Sequence, residues 1–182
     1  MLSLGQFFYD RYRSLEVAEH RLLYLFLEVT RKCNLSCLHC GSDCRVDLSG
    51  PALSTESWFS IVDYASSRFS KDLLFVITGG EPLICPSLPE IGRRIIGNRR
   101  SWGIVTNGFL LDERMMGRLV DAGMRSITVS LDGDREAHNH LRNNPQAFDH
   151  ALRSRHKINA SHIARSRVYS GSDARSEHSI SI

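Results

Sequence analysis

The sequence has no apolar run long enough to cross a membrane. Its longest, residues 22–27, has six residues, whereas a spanning helix needs about 20. Near the N-terminus, charges at Asp10 and Arg11 precede any such run, so we expect no secretory signal peptide. The sequence therefore predicts no membrane association.

Cysteine is scarce and unevenly placed, with five in the chain and none after Cys85. The number is odd, and three of the five lie too close together for a normal disulfide framework. Unpaired thiols are typical of a reducing compartment. We therefore expect a cytoplasmic protein whose cysteines are free to bind metal.

An excess of charge of either sign is also missing from most of the chain. Residues 153–182 hold six Lys and Arg and two acids, and the remaining chain holds 17 basic and 18 acidic residues. The main part of the chain is therefore no basic nucleic-acid binder, and we predict no nucleic-acid partner. With 182 residues, 42% of them hydrophobic, the chain has enough apolar content for one packed domain.

Three cysteines form a tight triplet directly after the apolar run. Cys33, Cys37 and Cys40 have the spacing C-x3-C-x2-C, and three thiolates are soft ligands suited to iron–sulfur clusters, zinc or copper. There is no second C-x2-C pair of the kind that structural zinc sites use, which favours an iron–sulfur cluster. Three ligands leave one iron of a four-iron cluster open. Two alternatives remain, a zinc site completed by Cys44 or His39 and a redox pair of Cys37 and Cys40.

A second motif follows the next apolar, β-rich segment. Residues 73–78 end in Gly79-Gly80-Glu81-Pro82. Two glycines at a strand end allow the backbone to approach a ligand closely, and proline restricts the exit of the turn. With the cysteine triplet after one strand and this motif after the next, the chain resembles the radical S-adenosylmethionine (radical SAM) enzymes. It looks most like the branch that carries a C-terminal auxiliary-cluster (SPASM-type) domain and modifies peptides or proteins.

The resemblance covers residues 22–152 and implies a set of cofactors and partners. Cys33, Cys37 and Cys40 are expected to hold a [4Fe–4S] cluster whose open iron binds the methionine part of SAM. One electron, from a flavodoxin- or ferredoxin-type donor, would cleave SAM to a 5′-deoxyadenosyl radical that abstracts hydrogen from a peptide or protein substrate. The protein positions the reactants and excludes water and oxygen.

The resemblance also implies roles for residues in the glycine motif. Gly79, Gly80, Glu81 and Pro82 match the segment that meets the amino group of SAM, largely through backbone oxygens. For the Glu81 side chain, a structural role in ordering the turn is an equal alternative.

Five further residues are candidates for the SAM pocket. His39 stands where the family usually has an aromatic residue near the adenine, and Ser130 and Asp132 match the region that contacts the ribose. Thr106 and Asn107 are candidates for lining the pocket, although an ordinary Asn-Gly turn is the favoured interpretation.

The remaining cysteines and histidines are given weaker roles. Cys44 is interpreted as a small loop residue and Cys85 as a half-buried thiol. Residues 138–142 (H-N-H-L-R) resemble a stretch near the substrate in the family, but a solvated start of a helix is the favoured interpretation.

Short apolar segments typical of strands alternate along the chain with longer segments that have the apolar periodicity of helices. The pattern predicts an α/β protein with a parallel sheet, an N-terminal helix followed by about four βα units of an incomplete (β/α) partial barrel. The predicted strands are residues 23–30, 73–78, 102–106 and 126–131. The predicted helices are residues 5–21, 54–69, 87–97 and 112–123, with a further helical stretch after Pro145.

Local sequence predicts how several helices begin and pack. Ser54 and Asp112 are expected as N-caps, and Ser87 with Glu90 as a capping box. The first helix carries an apolar stripe that is expected to pack on the domain, formed by Phe8, Tyr12 and Leu15.

The composition changes near residue 153. Residues 153–182 are rich in Ser, Arg and His without apolar periodicity, so we expect a disordered tail. This gives three segments, an N-terminal helix (1–21), a truncated radical SAM core (22–152) and the tail (153–182). Family members continue with further βα units and a cysteine-rich domain. The sequence therefore leaves enzymatic activity open, and the alternatives are a truncated or frame-shifted inactive fragment and a non-catalytic zinc-binding module.

Overall fold

Helices and strands alternate along the chain. The computed structural model describes residues 3–19, 21–42, 44, 53–160 and 166–170. The strands are β1 Tyr24–Thr30, β2 Leu74–Gly79, β3 Ser101–Thr106, β4 Ser126–Leu131 and β5 Ser166–Ser170. The helices are α1 Leu4–Glu19, α2 Thr55–Arg68, α3 Leu88–Gly97, α4 Glu113–Asp121, α5 Arg135–Leu141 and α6 Ala147–Ala160, with a short 3-10 turn at Pro82–Ile84.

The strands form one parallel sheet in the order β1-β2-β3-β4-β5. The register pairs Leu27 with Ile77, Ile77 with Ile104, and Ile104 with Ile127. Each strand therefore pairs with the next one along the chain, and all carboxyl ends lie at the same edge. This confirms the predicted α/β class and the incomplete barrel.

Alternate strand residues pack against the helices and form the core. Side chains at every second position of the central strands are buried, whereas their neighbours are more exposed. The core residues on the strands are Leu27, Val29, Phe75, Ile77, Trp102, Ile104, Ile127 and Val129, and those on the helices include Val62, Ile91, Ile95 and Leu119. On the opposite face of β1, Tyr24 and Phe26 remain exposed.

Two of the three predicted N-caps form a capping hydrogen bond in the structure. Ser54 and Asp112 accept hydrogen bonds from the amides of Ser57 and Met115, at 3.1 and 2.6 Å, as predicted. The predicted capping box at Ser87 is wrong, because this side chain makes no capping hydrogen bond. With φ −84° and ψ 2°, its backbone is not in the extended conformation that directs an N-cap hydroxyl at the helix.

The first helix forms as predicted but does not pack as predicted. Phe8, Tyr12 and Leu15 are 62%, 58% and 55% exposed. Periodicity identifies an amphipathic helix, but it carries no information about which surface covers the apolar side. Among the described helices, none is long and apolar enough to cross a membrane.

Regular structure continues past Leu152, where the sequence predicts the end of the core. Helix α6 extends to Ala160, and β5 pairs in parallel with β4 at the sheet edge. The five-residue strand S-R-V-Y-S has only two apolar residues, too few for a clear strand signal. The rest of the predicted tail, residues 161–165 and 171–182, lies outside the described residues.

Candidate functional site

The cysteine loop (residues 33–40) leaves the end of β1. Cys37 is buried, Cys33 and Cys40 are half-buried, and all three are in the thiol form, outside any disulfide. The Leu35 amide donates to the sulfur of Cys33 at 3.5 Å. Burial raises the pKa of Cys33, and the nearby charge of Glu81 adds to the effect. Without a cation, this thiol is therefore held in its protonated form.

Cys44 lies beside the same loop. Burial, followed by the neighbouring Cys40 thiol, raises the pKa of Cys44 to about 11. Among the described side chains, no three from His, Cys, Asp and Glu are grouped so that they could hold a metal ion.

The two glycines bring the end of β2 against the base of the cysteine loop. The Gly80 amide donates to the Thr30 carbonyl at 2.7 Å, and the Glu81 amide donates to the Lys32 carbonyl at 2.9 Å. A Cβ on Gly79 or Gly80 would lie 2.2 Å from the Thr30 or Lys32 carbonyl oxygen. The close approach that the glycines allow is thus between two parts of the protein, and it sets the position of the loop.

The Glu81 carboxylate is fully buried and joins the glycine motif to the end of β3. Its oxygens accept hydrogen bonds from the Thr106 hydroxyl at 2.7 Å, the Leu83 amide at 3.1 Å and the Asn107 amide at 2.9 Å. Burial raises the pKa of Glu81, and the three hydrogen bonds oppose that effect. The side chain therefore orders the turn, and Pro82 starts the 3-10 turn that follows.

Asn107 connects the end of β3 to the cysteine loop. Its side-chain nitrogen donates to the side-chain oxygen of Asn34 at 2.8 Å and lies 3.9 Å from the sulfur of Cys33. Its own side-chain oxygen accepts from the Phe109 amide at 2.9 Å. The favoured interpretation, an ordinary turn, thus missed a contact with the loop, because the two segments are 73 residues apart.

The fourth strand ends in an ion pair. The Arg142 guanidinium donates to both oxygens of Asp132, at 2.5 and 2.9 Å, and Ser130 lies two residues before Asp132 on β4. The His39 ring nitrogen Nε2 lies 3.8 Å from the same carboxylate. Asp132 is therefore held by Arg142, a largely buried residue of the stretch that was interpreted as a solvated start of a helix.

His138 completes this cluster. Its ring is buried, and its Nδ1 accepts the Asp132 amide at 3.1 Å. Burial lowers the pKa of His138, which fits a neutral ring that accepts this hydrogen bond. The interpretation of residues 138–142 as a solvated start of a helix is wrong, because His138 and Arg142 face inward from α5. Asp134 caps α5 by accepting from the Ala137 amide.

The predicted site residues therefore lie together at the carboxyl edge of β1 to β4. Residues 27–170, most of the chain, match the Radical SAM superfamily. The chain belongs to this superfamily.

The names of two similar proteins describe different activities. The chain is 38% identical to Fe-coproporphyrin III synthase from Methanosarcina barkeri over 70% of its length, and 37% identical to PqqA peptide cyclase from Granulibacter bethesdensis over 58% of it. It spans only 32% and 28% of the lengths of these two proteins.

Solved structures share the fold. Streptococcus suis SuiB bound to S-adenosylmethionine matches 93% of this chain and 40% of its own, with a TM-score of 0.69 and 19% identity. Native anSMEcpe with bound AdoMet matches 80% of this chain and 42% of its own, with a TM-score of 0.62 and 21% identity. The partial barrel of these structures is thus the fold of this chain.

Membership of the superfamily implies a [4Fe–4S] cluster and SAM. The residues of this radical SAM chain fit these groups, because the thiolates of a [4Fe–4S] cluster bind different irons and need not converge on one ion. Three thiols supply the soft donors that iron requires. They lie at the strand edge where (β/α) folds build their sites, next to the glycine motif that packs against the base of their loop.

Proposed function

We propose that this chain binds a [4Fe–4S] cluster through Cys33, Cys37 and Cys40 and binds SAM beside it for reductive cleavage. The observation that carries the proposal is the convergence of the cysteine loop and the glycine motif, which the amides of Gly80 and Glu81 hold together through hydrogen bonds to the carbonyls of Thr30 and Lys32. When bound, the cluster and SAM supply an electron and a 5′-deoxyadenosyl radical. The residues of the chain bind and orient these groups.

Roles for individual residues follow from their positions. The backbone of residues 79–82 faces the amino group of SAM, and Ser130 with Asp132 contacts the ribose. Arg142 uses two acceptor positions of Asp132, and a carboxylate has about four, so capacity remains for ribose hydroxyls. His39 is the candidate for the adenine side, since its ring is only partly buried.

The proposed substrate is a peptide or protein, and the electron donor a flavodoxin- or ferredoxin-type protein in the cytoplasm. Similarity to PqqA peptide cyclase supports a peptide, and a structure of SuiB was solved bound to precursor peptide SuiA. Similarity to Fe-coproporphyrin III synthase favours a tetrapyrrole instead. The chain spans about a third of the length of these relatives. Turnover of a substrate by this chain alone is part of the proposal.

Anaerobic reconstitution with iron and sulfide, followed by dithionite and SAM, tests the proposal. We expect a brown protein that forms 5′-deoxyadenosine slowly, because an incomplete barrel leaves the site open to water. The matched control is Cys37→Ala. A colourless protein that takes up zinc instead would contradict the proposal and support a zinc-binding module. A brown protein that forms no more 5′-deoxyadenosine than Cys37→Ala would support an inactive fragment.

A further inference from the structure

The C-terminal end of α5 contacts the cysteine loop. We call residues 141–143 the α5 corner. The Leu38 amide donates to the Leu141 carbonyl at 2.8 Å, and the Nδ1 atom of His39 lies 3.2 Å from the same oxygen. The middle of the cysteine loop is therefore attached to a segment that follows it by about 100 residues.

Side chains of the α5 corner extend this attachment. The side-chain nitrogen of Asn143 donates to the Ser36 hydroxyl at 3.1 Å, next to the central cysteine. Asn143 has a φ of 49°, in the left-handed region that asparagine tolerates better than most residues. The chain thus turns sharply at the end of α5, and both flanks of Cys37 are held.

Arg142 reaches the central cysteine itself. Its Nη1 atom lies 3.8 Å from the sulfur of Cys37, within the range of an N–H to sulfur hydrogen bond. Its other two donor groups, Nε and Nη2, are occupied by the carboxylate of Asp132. Both side chains are largely buried, at 13% and 15% exposure. The guanidinium is therefore fixed in direction, and one donor points at Cys37.

We propose that Arg142 is a positioning residue for the cluster, holding the Cys37 sulfur in place and making the bound cluster easier to reduce. This inference rests on the proposed function. Hydrogen bonds to ligand sulfurs are among the factors that set the potential of an iron–sulfur cluster. An N–H donor stabilises negative charge on the sulfur, and that charge grows when the cluster accepts one electron.

The planar guanidinium suits this role better than an ammonium group. Arginine offers five N–H donors in a rigid fork, so it can bind a carboxylate with two and a third group with another. Lysine keeps the charge but cannot hold Asp132 and Cys37 in the same fixed geometry. Asp132 follows β4 directly and is one of the residues proposed to contact the ribose. The ion pair with Arg142 therefore also links this proposed SAM contact to Cys37.

Two measurements on the full chain test the inference, with Arg142→Met and Arg142→Lys as variants. Arg135→Met is the matched control, since Arg135 lies on the same helix and pairs with the exposed Asp149. The first measurement, on the protein without iron, is the alkylation rate of Cys37 by iodoacetamide, with Cys85 as the internal reference. At a pH high enough to ionise every accessible thiol, we expect faster labelling of Cys37 in Arg142→Met, because a loop that is no longer held exposes the buried sulfur, and we expect the wild-type rate in the control.

The second measurement is the potential of the reconstituted cluster, titrated with dithionite and followed by electron paramagnetic resonance. In Arg142→Met we expect about a tenfold smaller equilibrium constant for one-electron reduction, which corresponds to about 59 mV. The potential of Arg142→Lys should lie between those of the wild type and Arg142→Met. This variant provides the comparison if Arg142→Met does not fold. Wild-type labelling together with a wild-type potential in both variants would overturn the inference, as would equal changes in Arg135→Met. If the wild type assembles no cluster, the proposed function fails, and labelling alone decides the positioning role.

Discussion

The hydroxyl of Thr106 donates a hydrogen bond of 2.7 Å to the carboxylate of Glu81, in a part of the molecule closed to solvent. The same carboxylate accepts the amides of Leu83 and Asn107. One side chain thus joins the end of β2 to the end of β3. Changes at this position are expected to affect stability.

Glu81→Gln should lower the free energy of unfolding by about 1–3 kcal/mol. Glutamine has one acceptor oxygen in place of two, so its amide group faces a buried donor and leaves that donor unsatisfied. Urea unfolding measures the loss. Glu90→Gln is the control, since Glu90 is exposed on α3. Equal stability of the two variants would show that the buried network contributes nothing.

The dependence of stability on pH should reveal the same carboxyl group. Burial raises the pKa of Glu81 above its model-compound value of 4.5, so the folded state binds a proton more tightly than the unfolded state. The resulting stabilisation is complete below pH 4.5 and is lost as the pH rises through the folded pKa. The difference in unfolding free energy between wild type and Glu81→Gln, measured across this window, should therefore vary with pH. A constant difference would refute the raised pKa.

Single cysteine changes should separate the ligands from their neighbours. Cys33→Ala, Cys37→Ala and Cys40→Ala are expected to lose most iron after anaerobic reconstitution, because each removes one of three thiolates. Cys44→Ala and Cys85→Ala should keep the wild-type iron content. Full iron loading in Cys37→Ala, or a loss restricted to Cys44→Ala, would show that the ligands were assigned wrongly.

Gly92→Ala tests the packing of α3 on the sheet. A Cβ at this position would lie 2.2 Å from the Trp102 ring, and the ring is held by its hydrogen bond to the Ala122 carbonyl. Overpacking of this kind costs about 1–3 kcal/mol. Gly117→Ala on α4 meets nothing within 4 Å and should stabilise the protein by up to about 1 kcal/mol. Thermal unfolding compares the two, and a stabilised Gly92→Ala would mean that the ring moves aside.

Local signals in the sequence predicted much of the fold. The β4 bounds and the caps at Ser54 and Asp112 depend on neighbouring residues, and the structure reproduces them. The capping box at Ser87 failed because backbone conformation decides whether a hydroxyl faces the helix. Helix α5 has only seven residues and no apolar periodicity, so the sequence indicated a helix at residues 138–142 but neither its bounds nor its buried side.

The site was predicted only in part, for a physical reason. The cysteine triplet and the glycine motif are short patterns, readable in a few residues. The Arg142 side chain contacts Cys37 at a separation of 105 residues, and the Asn107 side chain contacts Asn34 at a separation of 73. Such contacts depend on the order of the strands in the sheet, so a short sequence pattern does not predict them.

The attachment of the cysteine loop to the α5 corner has a consequence for biosynthesis. At about 5–20 residues per second, the ribosome adds the 105 residues between Cys37 and Arg142 in roughly 5–20 s. During this interval the three thiols have been made, but the surface that holds them has not. Metal delivered then would meet a mobile nascent segment, so loading of the correct site is expected only after translation has passed α5.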